Sequence, residues 1–231
     1  IAVNQFNGNL IIGGGDNVFE SSDRGATGTT LVDSTDNSVR VIDAGAANNV
    51  DALWIGRTNG IELRDTAGGA LANVAAWGAS SVNDLAMNEN DYQRMVAASN
   101  SLIQFTDDAG VSFMDITGDL LGFGEDIWAV EIFDIAGIDA IFAGLRTGDI
   151  FYSTSRTSLS SWSLLGNLPN APVRDLDYDS TDDILLVGLQ GRGAYTFANI
   201  SSFIIGVPEP GHFVVLSMMT LAMTSRRRRK G

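Results

Sequence analysis

The chain has 231 residues, 45% of them hydrophobic, which is enough for one sizeable folded domain and a tail. It has no cysteine, a single histidine at His212 and no lysine before Lys230, so disulfides, thiolate nucleophiles, Cys- or His-ligated metals and Schiff-base chemistry are removed from residues 1–207. The formal net charge is −14, and residues 1–207, with 9 basic and 27 acidic residues, carry −18; nucleic acid and anionic lipid are poor partners for such a domain, and divalent cations, cationic surfaces and neutral glycans remain.

The start at Ile1, with no basic and apolar leader behind it, reads as a fragment or as a chain whose leader is not included. From there one apolar strand core closing on a small residue recurs five times: Leu10-Ile11-Ile12-Gly13, Leu53-Trp54-Ile55-Gly56, Met95-Val96-Ala97-Ala98, Ile141-Phe142-Ala143-Gly144 and Leu185-Leu186-Val187-Gly188. The closing positions are 43, 42, 46 and 44 residues apart. Four-residue apolar runs between polar turns are what strands buried on both faces look like. A strand precedes four of the cores, at Val39–Ile42, Val82–Ala86, Ile127–Val130 and Val173–Leu176, and another follows each core. Three or four short antiparallel strands at this spacing define a β-propeller blade. The expected fold is therefore all-β: a β-propeller of about five blades, complete or part of a ring of six to eight, followed by a short C-terminal hydrophobic helix. The last repeat has three strands, and its outer strand would be supplied from the other end of the ring.

Two turns after the third strand share a pattern. Ser21, Asp23 and Gly25 in the first repeat match Thr106, Asp108, Gly110 and Phe113 in the third. They resemble the Asp-box of sialidase-like, sortilin-like and xyloglucanase-like propellers. The resemblance implies a structural turn on the rim, in which the carboxylate accepts backbone N–H bonds and the glycine takes positive φ.

The chain ends on Val207-Pro208-Glu209-Pro210, an apolar run from Phe213 to Met223, and Arg226, Arg227, Arg228, Arg229 and Lys230. The two prolines make a stiff spacer, and the cations behind an apolar run make a stop-transfer order. The stretch His212–Ser225 has 14 residues, against roughly 20 for a bilayer span. This tail resembles the PEP-CTERM sorting signal, which implies an exosortase-type processing enzyme as partner, transient inner-membrane anchoring, and release to the cell envelope, cell surface or extracellular matrix. The expected organisation is a propeller domain over 1–200, a linker with the PEP motif over 201–211, and a hydrophobic segment with an Arg-rich tail over 212–231.

Carboxylates are the only candidate catalysts. Asp84, Asp175 and Asp177 lie on or just after first strands, where a pair could flank a glycosidic bond, or could simply satisfy backbone groups. No cofactor is expected; Ca²⁺ is the one ion that the Asp-rich turns at Asp107–Asp108 and Asp179–Asp183 suit. Trp54 and Trp128 fall inside strands, and Trp77 and Trp162 are the better candidates for an exposed sugar platform. Together these features predict a non-enzymatic exported binding or structural module with a glycan or surface-protein ligand and no nucleic acid. The alternative is a secreted xyloglucanase-like glycoside hydrolase using an Asp pair in the channel.

Overall fold

A computed structural model of the chain describes residues 1–31, 38–79, 81–123, 126–155 and 158–206. Five antiparallel sheets follow one another along it. The first comprises β1 (Ala2–Val3), β2 (Leu10–Gly14), β3 (Asn17–Ser21) and β4 (Thr29–Leu31). The second comprises β5 (Val39–Ala46), β6 (Asn49–Arg57), β7 (Ile61–Arg64) and β8 (Ala72–Asn73), and the third β9 (Asp84–Asn88), β10 (Asp91–Ala98), β11 (Ile103–Thr106) and β12 (Met114–Asp115). After a 3-10 turn at Gly118–Phe123 comes the fourth: β13 (Ile127–Ile135), β14 (Ile138–Leu145), β15 (Asp149–Thr154) and β16 (Ser158–Asn167). The fifth has three strands, β17 (Val173–Asp179), β18 (Ile184–Leu189) and β19 (Gly193–Ala198), and a short helix α1 (Ile200–Ile205) follows it. Every sheet is an up-and-down meander, the blade of a β-propeller. The fold is all-β and of the propeller type that the repeat predicts.

The core lies between blades, not within them. Four apolar clusters fill the spaces between blades 1 and 2, 2 and 3, 3 and 4, and 4 and 5. The second strands of blades 2, 3 and 4 are therefore buried on both faces, as at Leu53–Gly56, Met95–Ala98 and Ile141–Gly144. In blade 5 the same strand alternates, with Leu185 and Val187 buried and Leu186 exposed, because a sheet with one neighbour covers only one of its faces. Helix α1 adds Ile200 and Ile204 to the cluster between blades 4 and 5, and Asp183 anchors its first turn by accepting from Ser201 N and Ser201 Oγ at 2.8 and 2.7 Å.

Side-chain hydrogen bonds between neighbouring blades stitch them together. Trp54 Nε1 donates to Tyr92 O at 2.9 Å and Trp162 Nε1 to Ile116 O at 2.8 Å. Trp162, expected at the surface, is thus buried, and Trp77 is buried with its ring edge-on to Phe113 at 5.8 Å; a large ring at a blade edge has a neighbouring blade to cover it. The spacer Val207–Pro210, the hydrophobic segment and the Arg226–Arg229 run lie outside the described residues.

Candidate functional site

In a meander the turn from first to second strand and the turn from third to fourth emerge at the same end of the blade. Carboxylates collect at that end: Asp23 and Asp108 in the outer turns, and Glu89, Asp134, Asp179 and Asp182 around the inner ones. Within it, a cavity of about 210 Å³ opens on the first-strand side of the blades, and Asp43, Glu89, Glu131 and Asp177 line it beside Gln5 and Tyr178. Asp43, Glu131 and Asp177 stand at one level of three first strands, since their register partners are Trp54, Phe142 and Leu186, the second residue of each strand core. Among the described residues no arginine lines the cavity.

The electrostatics follow from this convergence. Burial raises the Glu131 carboxyl well above the usual range, and the charges of Asp43, Asp84 and Asp177 add to the effect. Burial also raises Asp43, against the bonds it accepts from Met87 N and Ala44 N. Asp84 is pushed up to about 8, by burial first and then by Asp175 and Asp43, although Val130 N and Leu85 N donate to it.

The residues singled out in the sequence are divided by the fold. Asp84 points across the seam to blade 4, where Oδ2 accepts from Val130 N at 2.9 Å, and Oδ1 accepts from Leu85 N at 3.0 Å. Asp43 makes the equivalent bond one blade earlier, accepting from Met87 N at 2.6 Å. Asp175 and Asp177 sit on the exposed face of blade 5, and burial followed by the Asp177 charge raises Asp175. Asp43, Glu89 and Glu131 were missed; the signal that could have found two of them is their shared place opposite the strand cores.

The two outer turns are built alike. Asp23 accepts from Thr27 N at 2.8 Å, Thr27 Oγ1 at 2.6 Å and Ser21 Oγ at 2.7 Å, while Gly25 N donates to Ser21 Oγ at 2.8 Å. Asp108 accepts from Ser112 N at 2.9 Å, Ser112 Oγ at 2.7 Å and Thr106 Oγ1 at 2.8 Å, and Gly110 N donates to Thr106 Oγ1 at 3.0 Å. Gly25 and Gly110 have φ of 88° and 78°. These bonds, the Thr27 hydroxyl first, bring the Asp23 carboxyl down to about 2. Among the described residues no group of three or more His, Cys, Asp or Glu side chains is placed to hold a metal ion.

The opposite end has a different character. The position after the β-branched residue at or just before the start of the first strand is Arg40, Asn83, Trp128 and Arg174 in blades 2 to 5. Each touches the next blade or its neighbour: Arg40 Nη1 donates to Asn83 Oδ1 at 3.4 Å, Asn83 Nδ2 donates to Ile127 O at 2.7 Å, and the Arg174 guanidinium lies 3.8 Å from the Trp128 ring centre. Gln190 Oε1 accepts from Arg174 Nε and Nη2 at 3.1 and 2.8 Å. The channel is thus acidic at one mouth and arginine-bearing at the other.

These features define a β-propeller module. No protein-family model matches the chain, and no curated protein matches it either. Solved propellers do. The Cps50 (Swd1) β-propeller domain of Myceliophteria thermophila is similar with a TM-score of 0.68 at 15% identity, over 87% of this chain and 65% of that one. The RRP9 WD40 repeats give 0.58 at 15%, over 78% and 56%, and the COPII outer-coat vertex on membranes gives 0.65 at 14%, over 83% and 56%. U3-55K is matched at 13% identity. The chain spans less than two thirds of the length of each of these structures, and at such identities the likeness is one of fold.

The comparisons correct the family drawn from the sequence. The structures named above are WD40-repeat and COPII-coat proteins, and with them the assignment to sialidase-like, sortilin-like or xyloglucanase-like Asp-box propellers and the PEP-CTERM membership are withdrawn. Short motifs such as Ser21-x-Asp23-x-Gly25 and Pro208-Glu209-Pro210 arise wherever a turn or a stiff spacer is needed, so they carry less weight than a whole-fold match. With the family go export to the cell surface or matrix, transient membrane anchoring, the exosortase-type enzyme and the glycan or surface-protein ligand. No helix among the described residues is long and apolar enough to cross a membrane. The glycoside-hydrolase alternative is withdrawn on the same matches, and Asp84, one of its carboxylates, is bonded to backbone N–H groups. The exclusion of nucleic acid is withdrawn too: U3-55K and RRP9 are among the matched propellers, and net charge averages over two ends that differ, with Arg40 and Arg174 together at one of them.

Proposed function

We propose that the chain is a non-catalytic binding scaffold that receives a cationic segment of a partner protein at the acidic mouth of its channel. The observation that carries this reading is the convergence of Asp43, Glu89, Glu131 and Asp177 from four blades on one cavity with no arginine among its described lining residues. An arginine or lysine side chain entering there would gain several carboxylates at once in partly desolvated surroundings. The fold supports the reading as well, since successive packed blades present turns from several repeats to one ligand, and the strongly acidic balance of residues 1–207 would steer a basic partner.

The test is a fluorescence anisotropy titration of a labelled hexa-arginine peptide. Saturable binding is expected that weakens as salt rises from about 0.05 to about 0.5 M. It should fall about tenfold, or ~1.4 kcal/mol, when Glu89→Gln and Asp177→Asn are combined. Both side chains are exposed, so the double variant keeps the fold. Binding of equal strength in that variant would refute the proposed mouth.

A further inference from the structure

At the arginine-bearing end a cleft of about 440 Å³ opens between blades 2 and 3, lined by Arg40, Ser81, Asn83, Ser99, Asn100 and Ser101. Among the described residues its lining holds one guanidinium, two amides and three hydroxyls and no carboxylate, in a chain of net charge −14. The amides are oriented by their own bonds: Asn83 Nδ2 donates to Asn100 Oδ1 at 2.6 Å and to Ile127 O at 2.7 Å, and Asn83 Oδ1 accepts from Arg40. This arrangement turns Asn100 so that its Nδ2 remains as a donor. Arg40 Nε and Nη2, Asn100 Nδ2 and the hydroxyls of Ser81, Ser99 and Ser101 have no protein acceptor among the described residues. Arg174, at the same end, is by contrast held by Gln190 and Trp128.

We infer that this cleft is a site for a compact oxyanion, a phosphate group above all. A guanidinium flanked by hydroxyl and amide donors matches the several acceptor oxygens of a tetrahedral anion. None of the described lining residues is a carboxylate, so such an anion does not meet from them the repulsion it meets at the other mouth. The site lies at the opposite end of the channel from the acidic cavity and does not depend on the function proposed for that cavity.

The experiment is a titration of the full chain with inorganic phosphate at constant ionic strength, chloride making up the balance, followed through the side-chain amide signals of Asn83 and Asn100. Saturable shifts of these two amides are expected, with the affinity reduced at least tenfold in Arg40→Gln and abolished in Ser81→Asp, which places a carboxylate in the cleft. Arg40 is exposed, and a melting curve confirms that the variant folds; if it does not, Ser81→Asp decides. Shifts that grow linearly without saturation, or saturable binding that survives Ser81→Asp, would overturn the assignment.

Discussion

Gly144 lies so close to Val173 that a Cβ on the glycine would sit 2.4 Å from Val173 Cγ1 and 2.6 Å from its Cβ. The same fit recurs where Gly13 meets Val39 at 2.6 Å and Gly56 meets Val82 at 2.7 Å. In blades 1, 2 and 4 the small residue that closes the strand core is the seat for the β-branched side chain at the start of the next blade, a steric demand that recurs with the repeat. Gly188, in the last blade, has only Asp175 within reach, at 3.3 Å. Gly144→Ala should therefore cost about 1–3 kcal/mol by overpacking, and Gly188→Ala clearly less. Urea unfolding of the two variants checks this, and equal losses would count against the seat.

Arg57 and Glu62 form an ion pair at 2.7 Å with both side chains essentially inaccessible, 0% and 1% exposed. Arg57 Nη1 also donates across the seam to Asp16 O at 3.1 Å. Glu62→Leu leaves a buried guanidinium without its carboxylate and should cost about 3–5 kcal/mol. The pair of Arg146 with Asp126 is 3.9 Å apart and exposed, so Asp126→Asn should change stability by less than about 1 kcal/mol. Denaturant midpoints of the two variants distinguish the cases.

Much of the fold was legible, and the reason is the seat just described. A strand buried on both faces and closed by a small residue leaves a continuous apolar run, visible at Leu53–Gly56 and Ile141–Gly144 without any structure. The cavity was not legible. Asp43, Glu131 and Asp177 come to one level only through register shifts between Val39 and Val41, Ile127 and Ala129, and Val173 and Asp175, and a bulge leaves no periodic trace. In blade 3 the shift falls instead between Asp91 and Met95, so Ala86 takes the equivalent level and Asp84 sits two residues earlier. Judged singly, Asp84 looked like a channel carboxylate; in the fold it secures a seam. The turns at Asp23 and Asp108 invited a family assignment because their hydrogen bonding is local and can be read from five residues, whereas family membership is a property of the whole chain.

The carboxyls raised by burial set the pH dependence. Asp84 titrates at about 8 in the folded chain against roughly 3.9 unfolded. Between these values the folded state holds more protons than the unfolded one, so this contribution to stability, full below about pH 4, is lost as pH rises toward 8. Asp43 and Glu131 are shifted the same way. Asp23, lowered to about 2, acts oppositely, and its contribution is lost as pH falls below about 4 toward 2. Stability should peak near roughly pH 4–5. Asp84→Asn keeps an acceptor for Val130 N and should flatten the decline above that peak; an unchanged slope in urea unfolding across pH would contradict the assignment.

The central claim, that a cationic segment enters the acidic mouth, is tested most directly by calorimetric titration with hexa-arginine at pH 7 in buffers of different ionisation enthalpy. A guanidinium brought beside Asp43 and Glu131, whose carboxyls burial raises, must favour their charged forms. Binding is therefore predicted to release protons, seen as an observed enthalpy that varies linearly with the buffer's own. Binding with no such dependence would place the peptide on the outer turns, and no binding at low salt would contradict the account.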